Sequence, residues 1–180
     1  MGKIIAIVGM CGSGKSIAST KLEEMGYKKV YFGGVTMEKL QENGLEVTPE
    51  NEKMMREKLR SELGMGAYAS VLLPKIKELS LNNDVVLDGL YSWDELVILN
   101  KEFKLTTIAV VADKDLRYDR LSKREVRPFN KEEAIKRDIT EIENIAKAGP
   151  IAYADYYIFN NGTIADFHNR LDEILKNIKE

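Results

Sequence analysis

The 180-residue chain has one cysteine, Cys11, and one histidine, His168. An internal disulfide is therefore impossible, and two such isolated residues cannot make a Ser/His/Asp triad, a Cys/His pair or a Cys/His zinc site. His168, between Phe167 and Asn169 on a polar helix edge, reads as a solvated residue. Long apolar runs are lacking too: none approaches the ~18 residues of a membrane span. The N-terminus enters a short apolar stretch at once, without the pattern of a signal peptide. These absences lead us to expect a cytoplasmic protein in a reducing compartment, with no membrane partner. Nor is there an excess of one charge. Lys and Arg number 27 against 29 Asp and Glu, for a net charge of −2, and the two signs are interspersed. No basic face points to a polyanion, so no DNA partner is evident. Repeats, low-complexity tracts and linkers are also missing, and the length suits a single domain over residues 1–180 with a full core.

What the chain does contain is concentrated near its start. Gly9-Met10-Cys11-Gly12-Ser13-Gly14-Lys15-Ser16 follows the apolar run Ile4–Val8, which is the G-x-x-x-x-G-K-S phosphate-binding loop in its strand-to-helix setting. Glycines permit the backbone to turn successive N–H groups inward around a phosphate, and the following helix aims its N-terminal dipole at the same point. In this pattern Lys15 reaches the β- and γ-phosphates and the Ser16 hydroxyl ligates Mg²⁺. A nucleoside triphosphate, with ATP as phosphate donor and Mg²⁺ as cofactor, is the expected ligand. Cys11, although beside a helix N-terminus and Lys15, reads as a loop filler.

Apolar runs at Ile4–Val8, Val30–Phe32, Val85–Leu87, Thr107–Ala112 and Tyr156–Phe159 alternate with helical patterns, which predicts five parallel strands. Thr48-Pro49-Glu50 marks a helix start, and Ser92…Glu95, Asn130…Glu133 and Thr163…Asp166 resemble capping boxes. Gly64, Gly66 and Pro74 interrupt the helical stretch from Pro49 to Leu81, predicting two helices or one kinked helix. Two stripes at helical spacing, Ile135/Ile139/Ile142/Ala146 and Ile164/Phe167/Leu171/Ile174/Leu175/Ile178, are expected to face the core.

Two further segments carry chemistry. Val85-Val86-Leu87 ends in Asp88, a carboxylate at a strand end where a P-loop site holds its metal directly or through water, which makes Asp88 the expected partner of Ser16. Between the fourth strand and the 131–147 helix lie Arg117, Arg120, Arg124 and Arg127. Phosphoryl transfer spreads negative charge over the transferred group, and arginines on a closing segment stabilise it while excluding water. Arg120 and Arg124, one turn apart, are the preferred pair, with Arg137 able to join them. The alternative is a solvated helix face with Arg and Asp paired along it.

With the P-loop, Val-Val-Leu-Asp88-Gly89 and Arg117-Tyr-Asp-Arg120-Leu-Ser-Lys-Arg124 in place, the chain resembles the nucleoside-monophosphate-kinase branch of P-loop proteins. It looks closest to a small archaeal-type group related to adenylate kinase and dephospho-CoA kinase. The resemblance runs nearly end to end, through Thr48-Pro49-Glu50-Asn51, Leu59-Arg60…Gly64, Leu73-Pro74-Lys75, Arg137-Asp138 and Asn161-Gly162-Thr163…Phe167. It implies a three-layer α/β/α fold with a five-stranded parallel sheet in the order 2-3-1-4-5. It also implies a helical acceptor region near residues 35–80, a lid near 117–130, and adenine contacts near Arg120 and Asn161, Gly162 and Thr163.

The departures lie on the acceptor side. Gly33-Gly34-Val35-Thr36-Met37 stands where such kinases carry Gly-Asp-x-x-Arg, Tyr91 stands where they carry an arginine for the acceptor phosphate, and Pro128-Phe129 lies near the place of the usual lid Asp-Asp pair. Arg60, with Arg56 beside it, is left as the acceptor-side phosphate ligand. The leading reading is a Mg-ATP phosphotransferase, adenylate-kinase-related, that moves the γ-phosphate to a small nucleotide-like acceptor; standard adenylate kinase activity does not carry over. Lys15, Asp88, Arg120 and Arg124 form its catalytic set. The competing reading is an ATP-binding switch or slow ATPase that reports nucleotide state to an RNA or protein partner.

Overall fold

The computed structural model describes residues 1–126 and 128–178; Arg127, one of the four clustered arginines, lies outside them. Five strands, β1 (Ile4–Val8), β2 (Lys28–Tyr31), β3 (Val85–Asp88), β4 (Leu105–Val111) and β5 (Tyr156–Phe159), form one sheet in the order β2-β3-β1-β4-β5. Every pairing is parallel. The expected topology is borne out.

Because side chains alternate across a strand, the central strands split their apolar residues between two layers. Ile4, Ala6 and Val8 of β1, with Val85, Leu87 and Ala109, face one layer; Ile5 and Ile7, with Val86, Ile108 and Val110, face the other. The second layer is covered by α1 (Lys15–Glu24), through Ala18 and Leu22, and α9 (Ile164–Asn177), through Phe167, Leu171 and Ile174. The first is covered by α2 (Gly34–Glu42), α3 (Pro49–Leu63), α4 (Ala67–Ser80) and α5 (Trp93–Glu102). Among the described residues, no helix is long and apolar enough to cross a membrane.

Local signals place the helix starts. Thr48 accepts from the Asn51 N–H ahead of Pro49, and all three expected capping boxes, at Ser92, Asn130 and Thr163, are closed in both directions. The stretch from Pro49 is two helices, broken at Gly64–Gly66, while Pro74 is carried inside α4.

The remaining helices are α6 (Lys114–Ser122), α7 (Lys131–Ile145) and the short α8 (Ala148–Ala152). They hold the one clear correction to the core. Ile135, Ile139 and Ile142 are 37%, 49% and 46% exposed, so the α7 stripe does not face the interior. The helix instead turns Ala134, Asp138 and Ile145 inward, because Asp138 receives the buried Arg117 of α6, and the isoleucines on the other side are left in solvent. α7 also ends earlier than expected, at Ile145, with Ala146 in a left-handed conformation (φ 50°). In the second stripe Phe167, Leu171, Ile174 and Ile178 are buried and Leu175 is half-buried, while Ile164, in the first turn of α9, is exposed.

Candidate functional site

The loop from Gly9 to Gly14 joins β1 to α1 at the carboxyl end of the sheet. Gly12 and Gly14 adopt φ of 80° and 102°, and a Cβ at Gly14 would strike the Asn160 amide, so only glycine fits there. Gly14 is also the N-cap of α1 and makes no side-chain cap, which leaves the first N–H groups of the helix to an anion. The Lys15 ammonium donates to the Met10 carbonyl at 3.0 Å. Burial pulls its pKa down to about 8, and the charge of Lys147 adds to that effect against Cys11, Glu141 and Asp88. Ser13 is fully buried, yet its hydroxyl has no partner. A buried hydroxyl, free helix N–H groups and a lysine held by a carbonyl of its own loop make a cradle that fits a phosphate chain.

The parallel register sets Asp88 opposite Ile7 of β1 and Tyr31 of β2, at the same end of the sheet. Its bonded partner is Ser19 rather than Ser16: the Ser19 hydroxyl lies 3.0 Å from the Asp88 carboxylate and 3.3 Å from the Ser16 carbonyl, and Lys29 stands 3.9 Å away. Ser16 itself is exposed at the start of α1. Among the described residues there is no cluster of three or more His, Cys, Asp or Glu to cage an ion. A hydrated Mg²⁺ needs no such cage, since one or two side chains and phosphate oxygens hold it.

The arginines of the expected lid do different things. Arg117 is buried; it donates to the Cys11 carbonyl at 2.8 Å and forms a two-pronged ion pair with Asp138 at 3.2 and 2.5 Å. The Tyr118 hydroxyl adds a bond to the same carboxylate at 3.1 Å. This arginine ties the P-loop to α6 and α7. Arg120 donates to the Asn160 carbonyl at 2.8 Å, while Asn160 donates to the Ser13 carbonyl at 2.8 Å; the second terminal nitrogen of Arg120 is buried without a partner. Arg124 does not stand one helical turn above Arg120, because α6 stops at Ser122; it lies exposed, 3.9 Å from the Cys11 sulfur. Asn161, Gly162 and Thr163 form the exposed turn into α9. There Asn161 accepts from the Asp113 N–H and Thr163 caps the helix.

Across the cleft, Arg60 of α3 lies over the Tyr68 ring at 5.6 Å, and its Nε is buried without a partner. The Tyr68 hydroxyl shares a 2.7 Å bond with Thr36, in the segment that lacks the acceptor-binding charges. Glu95 holds the β3–α5 turn by accepting from the N–H groups of Tyr91 and Ser92 at 2.8 and 3.0 Å, but its other oxygen has no partner. Burial pushes the Glu95 carboxyl up to about 7, against its backbone donors and Arg60.

Two residues of this site escaped the sequence analysis. Lys147 is 2% exposed, with its ammonium 2.5 Å from Glu141 and 4.7 Å from the centre of the Tyr91 ring. Glu141 also accepts from Arg137 at 3.1 Å. Burial raises its carboxyl, but Lys147 and Arg137 outweigh burial and hold it below the ordinary carboxylate value. The available signal was a lone charge in an otherwise uncharged run from Asn144 to Ala154.

A family model described as an AAA domain matches residues 5–141. The chain is 36% identical over 180 residues to a UPF0200 protein of Sulfurisphaera tokodaii, with 98% of this chain and 97% of that one covered. Among solved structures, shikimate kinase from Bacteroides thetaiotaomicron superposes with a TM-score of 0.62 at 16% identity, covering 97% of this chain and 98% of that one. Dephospho-CoA kinase from Campylobacter jejuni does so with a TM-score of 0.58 at 16% identity, covering 99% and 98%. At such identities the likeness is one of fold, and that fold is P-loop kinase-like. With the AAA-domain model spanning most of the chain and a relative aligned end to end, the chain belongs to the UPF0200 family of P-loop proteins with a nucleoside-monophosphate-kinase-like fold.

Proposed function

We propose that this protein is a Mg-ATP-dependent phosphotransferase that passes the γ-phosphate to a small nucleotide-like acceptor. The observation that carries the reading is the phosphate cradle, with the buried unpartnered Ser13 hydroxyl and the free N–H groups of α1 beside Lys15, tied through Arg117 to an α7 helix on which Glu141 holds both Lys147 and Arg137. In this reading the backbone from Gly9 through Met10, Cys11, Gly12, Ser13 and Gly14 to Ser16 wraps the phosphates, and Lys15 leaves the Met10 carbonyl for their oxygens. Ser16 and Asp88 hold Mg²⁺, whose chemistry when bound is to neutralise charge on the phosphate oxygens. The unpartnered nitrogen of Arg120 and the turn Asn161-Gly162-Thr163 receive the nucleotide, Arg124 swings in from the exposed segment, and Arg60 serves the acceptor. Transfer needs positioning and electrostatics more than a dedicated base.

One observation favours a second reading, an ATP-driven switch or slow ATPase acting on an RNA or protein partner. The buried Arg117 couples the Cys11 carbonyl to Asp138 on α7, so a change at the P-loop is felt by a helix whose outer face is apolar and exposed. The two readings separate in one assay: ADP release from Mg-ATP by the purified protein, alone and with nucleoside monophosphates, nucleosides and dephospho-CoA. Tenfold stimulation by one acceptor, with a phosphorylated product that Arg60→Ala diminishes, is the expected result. A slow rate indifferent to every acceptor points to the switch.

A further inference from the structure

Lys147 is a poor choice for stability alone. Burying an ammonium–carboxylate pair costs desolvation that its mutual attraction barely returns, and an apolar pair would pack at least as well. Its surroundings are also not neutral. One carboxylate, Glu141, serves both Lys147 and Arg137, while Asp88, at the carboxyl end of β3, is engaged by Ser19 and lies 3.9 Å from Lys29. The helix that carries Glu141 is tied to the P-loop one turn earlier, where Asp138 holds the Arg117 that donates to the Cys11 carbonyl at 2.8 Å. Like charges gathered without an anion between them repel, and the repulsion reverses once a phosphate enters. Tyr91, under the Lys147 ammonium, occupies the place from which an arginine is missing after Asp88-Gly89.

We propose that Lys147 supplies, from the turn between α7 and α8, the cation that meets the γ-phosphoryl group on its way to the acceptor, a task the Asp88-Gly89-Leu90-Tyr91 segment leaves to a neutral ring. This rests on the phosphotransferase reading. An ammonium has three N–H donors; Glu141 takes one, and the others are left for non-bridging phosphate oxygens. In the transfer, the bond from the γ-phosphorus to the bridging oxygen breaks with its electron pair left on ADP, and an acceptor phosphate oxygen bonds the phosphorus. An ionised acceptor phosphate brings no proton, so Lys147 acts by charge and hydrogen bonding, and Glu141 is a positioning residue that holds it. A charge placed on the γ-phosphoryl group favours ATP over ADP, which a structural ion pair does not do.

The test is equilibrium titration of the full chain with Mg-ADP and with Mg-ATP. Lys147→Met is expected to weaken ATP at least tenfold and ADP less than twofold, and Lys147→Arg to restore most of the preference. Because Lys147→Met leaves the half-buried Glu141 with Arg137 as its remaining partner, the double variant Lys147→Met/Glu141→Gln removes both charges of the Lys147 pair, so that a folding defect does not pass for a binding defect. It is expected to show the same loss of ATP preference. An ATP-to-ADP affinity ratio equal to wild type in the folded variants overturns the role of Lys147. A wild-type protein that binds ATP but phosphorylates no acceptor overturns the phosphotransferase reading instead.

Discussion

At the P-loop the candidate groups come from consecutive residues, Gly9 to Ser16, whereas across from it they come from α3, α4, α5, α7 and the turn after α7. The first side is a backbone device. Its geometry is fixed by glycine conformations and by a helix N-terminus, and its side chains are tied to their own loop, as Lys15 is to Met10. The second side is a side-chain device, in which Arg60, Tyr68, Glu95, Glu141 and Lys147 meet only after folding. Local devices resist substitution elsewhere, while assembled ones depend on what holds their pieces together.

The hinge between the two sides is the Arg117–Asp138 pair, and breaking it should give the largest effect. Asp138→Ala leaves a buried guanidinium unpaired and is expected to cost about 3–5 kcal/mol of stability, read as a shift in the urea midpoint. Loss of α7 packing should reach the P-loop through the Cys11 carbonyl, so nucleotide affinity should fall as well. A variant with unchanged stability would show that the two sides are independent. Next in size is Lys15→Ala, expected to lower triphosphate affinity about a hundredfold, or about 3 kcal/mol, since it removes charge-assisted bonds made only to phosphate. Calorimetric titration with Mg-ATP measures it.

The two sides also titrate in opposite senses. In the folded chain Lys15 has its pKa lowered to about 8 from 10.5, so between those values the unfolded chain binds more protons and this group's contribution to stability rises with pH. A bound triphosphate restores the proton. ATP affinity should therefore be flat below about pH 8 and fall above it, by at most about tenfold per pH unit, with proton uptake visible as buffer-dependent binding heat. Glu95 behaves in reverse. Its folded pKa, about 7, lies above its ordinary 4.5, so its contribution is present below 4.5 and is lost as pH rises through 7. Glu95→Gln, which keeps an oxygen for the Tyr91 and Ser92 N–H groups, should flatten the wild-type fall in melting temperature between pH 5 and pH 8. An unchanged slope would assign that pH dependence to other groups.

The same contrast explains what was legible in the sequence. The P-loop, the strand order and the three capping boxes are local or periodic signals, and the structure carries them as expected. Asp88 was found because a strand end is a fixed address, but its bond to Ser19 depends on which turn of α1 lies beside β3. Lys147 was missed because the Tyr91 ring reaches it only through the fold, and because Glu141, six residues earlier, meets it only where α7 stops at Ile145, a stop the sequence did not mark. Arg120 and Arg124 were set on one helix because nothing in residues 117–124 marks the stop at Ser122.

The smallest predicted effect concerns the two apolar stripes, which are alike in spacing and unlike in burial. Periodicity establishes that a helix has an apolar side but not which side the fold turns inward. In α9 nothing competes for the inner face, and Phe167, Leu171 and Ile174 fill it. In α7 the inner face must carry Asp138 to Arg117 and Glu141 to Lys147, so the isoleucines point out. Ile174→Val should then cost about 0.5–1.5 kcal/mol, as for a methylene lost from a packed core. Ile139→Ser, at a side chain 49% exposed, should fall within about 0.5 kcal/mol of wild type. Urea denaturation of both variants at one low protein concentration reads the difference. A loss of 2 kcal/mol or more at Ile139 would mean that something covers this face in solution, and concentration dependence of the midpoint would then identify a second copy of the chain as the cover.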